Sequence, residues 1–222
     1  MIHYGIKFHV STLAGIIIFR ADLLVVNHFK GAAEAGVYSV ASQVALMLML
    51  LPGVIATLLF PRLTRTPDER GEKTCIVARH TAFVMLVICL IAAPAAFALP
   101  LLYGARFADV AAQLLILLPG AYLIGLESVL VQHFNAVGLP PAIPLFWVVT
   151  LAVNLILTFA LVPTFGARGA ALASTISYTL IFMLVAIYFR ARTGCPLTDA
   201  LILRGAELRE LLAAGRHGSY GK

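Results

Sequence analysis

The chain has 222 residues, of which 61% are hydrophobic and only 12% charged. A soluble domain runs nearer ~45–50% apolar and ~25% charged, so this balance excludes an ordinary water-soluble fold. The net charge of +6 would fit nucleic acid as a total, but the positions of the basic residues fit a membrane better and no nucleic-acid partner is expected.

The apolar residues gather in blocks of about twenty or more, the length that spans a ~30 Å hydrocarbon core. Backbone groups in lipid must bond within their own segment, so the blocks read as helices. The ~10-residue alternating stretches of a transmembrane barrel are missing. In chain order, the first helix is expected over about 8–29, through Ala14-Gly15-Ile16-Ile17-Ile18-Phe19. It is too long, and lacks the small-residue cleavage site, for a removable signal peptide. The second runs about 36–60, with Pro52-Gly53 as a hinge, and ends at Phe60-Pro61-Arg62. The third covers about 79–103, and the fourth about 108–137 with a kink at Pro119-Gly120. The fifth, about 141–163, is bracketed by Pro140-Pro141 and Pro163; the sixth, about 168–190, is closed by Arg190 and Arg192. Residues 1–192 thus form a six-helix transmembrane bundle, and 193–222 a cytoplasmic tail. In the tail Leu197, Leu201, Leu208, Leu211 and Leu212 alternate with Asp199, Arg204, Glu207, Arg209 and Glu210. That pattern predicts a short amphipathic helix on the membrane surface or beneath the bundle, against the plainer reading of a frayed end.

Orientation follows from lysine and arginine. One side carries Lys7, Arg62, Arg65, Arg70, Lys73, Arg79, Arg190, Arg192, Arg204, Arg209, Arg216 and Lys222, which is twelve; the other carries Lys30, Arg106 and Arg168. Basic loops stay in the cytoplasm, so both termini are expected inside. Cys75, Cys89 and Cys195 show no paired spacing, and neither a disulfide framework nor a metal site is expected from them.

Polar groups within the helices are the places to look for function, because a charge in lipid costs ~2.5–3.5 kcal/mol or more. Arg20 and Asp22 lie near the middle of the first helix, about 200° apart around its axis, so they cannot face one cavity. Arg20 shares a stripe with His9 and Asn27, and Asp22 one with Ser11 and Gly15. Two readings stand: Arg20 as an anion contact and Asp22 as a protonatable group, or both satisfied by neighbouring helices. Glu127, on the fourth helix, is a coupling carboxylate, the partner of a basic group, or a residue near an interface; Gln132 and Asn135 near the helix end are weaker candidates. Trp147, Thr150, Asn154 and Thr158 form one stripe on the fifth helix, by default glue between helices and otherwise the wall of a wet cavity. Gly169, Ala170, Ala173 and Ser177 are small residues at close-packing intervals. No phosphate loop, zinc-protease or nucleophile-elbow motif occurs, and the loops are too short for a catalytic domain, so neither an enzyme nor a cofactor is expected.

The stretch Arg20-Ala21-Asp22-Leu23-Leu24-Val25-Val26, then Gly31 and Ala35-Gly36-Val37-Tyr38-Ser39-Val40-Ala41, resembles the seventh-to-eighth helix region of oligosaccharide flippases. So do Leu58-Leu59-Phe60-Pro61-Arg62-Leu63, Leu102-Tyr103-Gly104 through Phe107, and Asn135-Ala136-Val137-Gly138. The pattern closes with Asn154-Leu155-Ile156-Leu157, Leu161-Val162-Pro163 and Gly166-Ala167-Arg168-Gly169-Ala170-Ala171-Leu172-Ala173. Each motif is loose; their order and spacing over about residues 3–192 carry the likeness to the polysaccharide-biosynthesis branch of the multidrug/oligosaccharidyl-lipid/polysaccharide exporters. The resemblance implies the second six-helix bundle of a twelve- to fourteen-helix transporter. It implies a polyprenyl-pyrophosphate-linked oligosaccharide as substrate, in the cytoplasmic membrane of a bacterium, and a missing first half-bundle or a second copy as partner. On that reading Arg20, Asn27 and Asn154 are the candidate substrate-binding residues, and Asp22 and Glu127 the candidate ion-coupling residues. Leu139-Pro140-Pro141 stands where the family usually has a basic residue, which weakens a head-group contact at that loop. A small-molecule exporter of the same superfamily and a non-transporting subunit of a glycan-synthesis complex are the alternatives.

Overall fold

The computed structural model describes residues 2–196 except 67 and 69, together with 198. The amphipathic stretch expected in the tail lies outside the described residues. The described chain is all-α: α1 (Ile2–Lys30), α2 (Ala32–Leu48), α3 (Leu50–Arg65), α4 (Glu72–Ala95), the short α5 (Leu99–Tyr103), α6 (Val110–Ala136) and α7 (Ala142–Thr193). Two 3₁₀ turns, Ala96–Ala98 and Ala105–Phe107, flank α5.

Among the described residues, five helical stretches are long and apolar enough to cross a membrane. The fifth, α7, has 52 residues and would extend about 78 Å if straight, far beyond a ~30 Å hydrocarbon core. It is not straight: Gly166 leaves helical geometry at φ 58° and ψ −141°, backbone that essentially only glycine adopts. Asn154 Nδ2 donates to Ser177 Oγ at 3.1 Å, although 23 residues of helix would hold them about 35 Å apart. A Cβ on Gly169 would meet the Leu161 carbonyl oxygen at 2.6 Å. The two arms, 142–165 and 167–193, therefore fold back on each other, and the five stretches make six crossings.

Several boundaries differ from the sequence expectation for identifiable reasons. The second expected helix is two, because the Pro52 ring conflicts with the carbonyl of residue 48; α2 stops at Leu48 and Met49 holds the turn. The break thus precedes the expected Pro52-Gly53 hinge. Helix α4 starts at Glu72 because Asp68 caps it. Asp68 Oδ2 accepts from the Thr74 backbone N–H at 2.9 Å and the Thr74 hydroxyl at 2.8 Å, and Oδ1 from the Lys73 N–H at 3.2 Å. Helix α6 continues through Pro119-Gly120, and Gly120 is there for contact: a Cβ would meet Thr175 Cα at 2.9 Å.

Helix α6 sits at the centre, packed by α2, α3, α4 and α7, while α1 lies across α7 and α2. Large apolar side chains such as Leu24, Leu50, Leu90 and Ile156 are exposed on the outer faces, a surface suited to lipid and not to water. Two apolar clusters fill the interior. One is built mainly on small residues, including Ala35, Ala41, Ala45, Ala111, Ala121, Ala167, Ala170 and Ala171, which let backbones approach closely. The other holds bulky rings, among them Phe134, Phe182 and Phe189.

Contacts across the bundle define its two ends. Tyr4 donates to the Asn135 carbonyl, Lys7 Nζ to the Leu139 carbonyl, and the His133 ring stands edge-on to Phe189. This end gathers Lys7, Arg62, Arg65, Arg70, Lys73, Arg79, Arg190 and Arg192, and is called the basic end below. At the other end Lys30 Nζ donates to the Pro163 carbonyl at 3.0 Å, Glu34 accepts from the Ala167 N–H at 2.7 Å, and Arg168 pairs with Asp109 at 2.7 Å. Helix α1 begins and helix α7 ends at the basic end. The cysteine expectation is corrected: Cys75 and Cys195 form a disulfide at this end. Their 120-residue separation explains why no spacing betrayed it.

Candidate functional site

Helix α1 presents two opposed faces. His9, Arg20 and Asn27 share one stripe and all three are exposed. Arg20 lies near the midpoint of a membrane-length helix, and among the described residues no hydrogen bond or ion pair engages its guanidinium. A charged group at that depth is tolerated only where water or a polar partner reaches it. The stripe bearing Arg20 and Asn27 is therefore the one that needs a polar space beside it.

Asp22, about 200° away, is only 2% exposed and fully occupied. Oδ1 accepts from the Leu23 N–H at 2.7 Å, while Oδ2 accepts from the Tyr38 hydroxyl at 2.5 Å and the Ser174 hydroxyl at 3.0 Å. One carboxyl thus joins α1, α2 and the second arm of α7. Such a network is costly to disturb, since each hydroxyl would lose its acceptor in a dry interior.

Glu127, also 2% exposed, has the opposite character. Its Oε1 is buried and lacks a hydrogen-bond partner among the described residues. Among the described residues no ion pair to Glu127 is seen. Unpartnered buried acceptors are rare in native structures and call for a reason. Asn154 is fully buried between the two arms of α7, bonded to Ser177 and accepting from Thr158 Oγ1 at its carbonyl. Thr150 and Thr158 are buried on the same stripe. The structure thus brings Arg20 and Asn27 onto one open face and places Asn154 inside the bundle, away from it.

Sequence reasoning passed over a groove that starts near the basic end, bounded by α1, α6 and the first arm of α7 in one part and by α1, α3 and α6 in the other. One part, about 320 Å³, is lined by residues including Phe8, Ser11, Thr12, Gly15, Gln132, Asn135 and Trp147. The adjoining part, about 420 Å³, adds Tyr4, Thr57 and Phe60. The available signal was the run Phe8, Ser11, Thr12, Gly15, Phe19 at spacings of three and four, which puts rings and hydroxyls on one helical face. Lys7 of α1 donates to the Leu139 carbonyl at 3.3 Å. Among the described residues no cluster of three or more His, Cys, Asp or Glu could hold a metal ion.

Comparison with known proteins agrees with this architecture. A family model described as polysaccharide biosynthesis protein matches residues 1–112. Two curated relatives come from Haloferax volcanii. A probable flippase, AglR, is 29% identical over 169 residues, covering 72% of this chain and 35% of its own. A probable low-salt glycan biosynthesis flippase, Agl15, is 25% identical over 190 residues, covering 81% and 39%. The chain thus spans less than two-fifths of the length of these relatives. No solved structure matches.

Proposed function

The chain belongs to the polysaccharide biosynthesis protein family, and from that premise we propose that it forms one six-helix half of a flippase for polyprenyl-pyrophosphate-linked oligosaccharides. The observation that carries this reading is Arg20: a guanidinium that no hydrogen bond or ion pair engages among the described residues, exposed at mid-depth on α1, beside Asn27 on the same face. In an assembly with a second bundle, as a separate half or another copy, that face borders the central cavity. Arg20 there meets the pyrophosphate, whose oxygens suit a guanidinium's forked donors. Asn27 hydrogen-bonds nearby, and Asn154 acts from behind by holding the α7 hairpin.

Transport proceeds by rocking of the two bundles about a midplane site. Glu127, buried in α6 with an idle acceptor, exchanges the coupling ion as the bundle opens and closes. Asp22 holds the α1–α2–α7 joint on which that motion turns. No covalent bond of the cargo is made or broken, so the role is not enzymatic. The protein sits in the cytoplasmic membrane, bacterial on the sequence reading, with the basic end and both termini in the cytoplasm.

The test is Arg20→Ala in the complete assembly, with translocation of a lipid-linked oligosaccharide as readout. Translocation should fall to background while membrane abundance is unchanged. Translocation at the unsubstituted rate would remove Arg20 from the mechanism.

A further inference from the structure

The groove bounded by α1, α3, α6 and the first arm of α7 has a hydrogen-bonding character of its own. Its hydroxyls have all spent their protons on helix carbonyls: Ser11 on Lys7 at 3.2 Å, Thr12 on Phe8 at 2.9 Å, and Thr57 on Gly53 at 2.8 Å. The Tyr4 hydroxyl donates to the Asn135 carbonyl at 3.3 Å. Asn135 Nδ2 donates to Gln132 Oε1 at 3.1 Å, and Gln132 Nε2 to the Ser128 carbonyl at 3.4 Å. What remains for a ligand is mostly lone pairs: four hydroxyl oxygens and Asn135 Oδ1, against one spare N–H on each amide. Among the described residues no charged side chain lines either part of the groove.

A phosphate entering this space would meet mostly acceptors, and the ammonium at its basic-end rim, Lys7 Nζ, is already bonded to the Leu139 carbonyl. A neutral polyol brings the donors that these lone pairs lack. The rings of Phe8, Phe60 and Trp147 on the same walls offer flat apolar faces to the C–H side of a pyranose. The groove is also large enough, at about 320 and 420 Å³, for one or two sugar rings. Along α1 it reaches Phe19, the residue that precedes Arg20.

We propose that this groove is a binding subsite for uncharged sugar residues, distinct from the anion contact at Arg20. The proposal rests on the flippase reading only for its biological setting; the chemistry of the groove stands by itself. Sugar and phosphate of one substrate are thereby read by different surfaces. The groove selects hydroxyl-rich rings, and Arg20 selects the charge that links them to the lipid.

Trp147, the single tryptophan of the chain, lines the groove and reports on it. The chain in lipid nanodiscs is titrated with cellobiose, inorganic pyrophosphate and farnesol while Trp147 emission is followed. Cellobiose should give a saturable change, and pyrophosphate and farnesol at matched concentrations none. Thr12→Val and Asn135→Leu should each weaken cellobiose binding by about threefold to tenfold, the worth of one hydrogen bond. Thr12 is exposed, so its variant folds, and elution as a single species confirms this for both. No response to cellobiose, a response that survives both substitutions, or a saturable response to pyrophosphate or farnesol would overturn the proposal. The two readings fail separately: cellobiose binding with Arg20-independent translocation sinks the role of Arg20, and Arg20-dependent translocation without cellobiose binding sinks the sugar groove.

Discussion

Replacing Gly166 by alanine tests the hairpin that turns one long helix into two crossings. The position sits at φ 58° and ψ −141°, a region that costs a non-glycine residue about 1–3 kcal/mol. A Cβ there would also run into Glu34 Oε1, the atom that accepts the Ala167 N–H at 2.7 Å. Losing that charge-assisted bond adds about 1–2 kcal/mol. The sum, about 2–5 kcal/mol, corresponds to a thermal midpoint lowered by about 5–15 °C for a chain of this size. The assay is thermal unfolding of the purified chain in detergent. Glu34→Ala alone should cost about 1–2 kcal/mol, and combined with Gly166→Ala it should add almost nothing, because the same bond is already lost. A midpoint within about 1 °C of the unsubstituted chain for Gly166→Ala, or strict additivity of the pair, would refute the geometry argued for the hairpin.

Asp22→Ala strands the buried Tyr38 and Ser174 hydroxyls and should lower stability by about 2–4 kcal/mol, while Tyr38→Phe, which leaves Asp22 two donors, should cost about 1 kcal/mol; equal effects would mean that Asp22 is not the hub. Glu127→Met replaces a buried carboxyl with an unpartnered oxygen by an apolar chain of similar length, and should raise thermal stability by about 1–3 kcal/mol. A loss of stability would reveal a partner for Glu127; in the complete assembly the same change should uncouple transport from the ion gradient. For the cysteines, protein unfolded without reductant should take up one maleimide, at Cys89, and three after reduction. Three without reduction would dissolve the Cys75–Cys195 bond.

Much of this architecture was readable because it depends on local properties. The apolar blocks and the helix requirement in lipid dictated an all-α membrane protein. The 100° step per residue separated Arg20 from Asp22, and the structure places one outside and the other inside. The small residues Gly169, Ala170 and Ala173 announced a close helix pair. Other features depend on which distant residues meet. Asp22 finds donors 16 and 152 residues away, and Cys75 finds Cys195 across 120. The groove draws on α1, α3, α6 and α7 at once. The break between the fifth and sixth expected helices was legible at Pro163, and the structure puts the turn itself at Gly166. Asn154 read by default as glue between helices, and its bond to Ser177 supplies a partner of that kind.

The central claim is that the Arg20 face of α1 borders a water-filled path for a glycolipid. In a complete assembly with Cys75, Cys89 and Cys195 replaced by serine, the most direct measurement compares Arg20→Cys with Ile156→Cys, an exposed apolar position near the middle of the first arm of α7. Each is treated with a charged, membrane-impermeant thiol reagent. Since the reactive thiolate forms only in contact with water, Arg20→Cys should react at least about tenfold faster. A lipid-linked oligosaccharide should slow that reaction, and a cationic drug should not. Equal, slow reaction at both positions would place Arg20 in lipid and contradict the account; protection by the drug alone would make the cargo a small molecule.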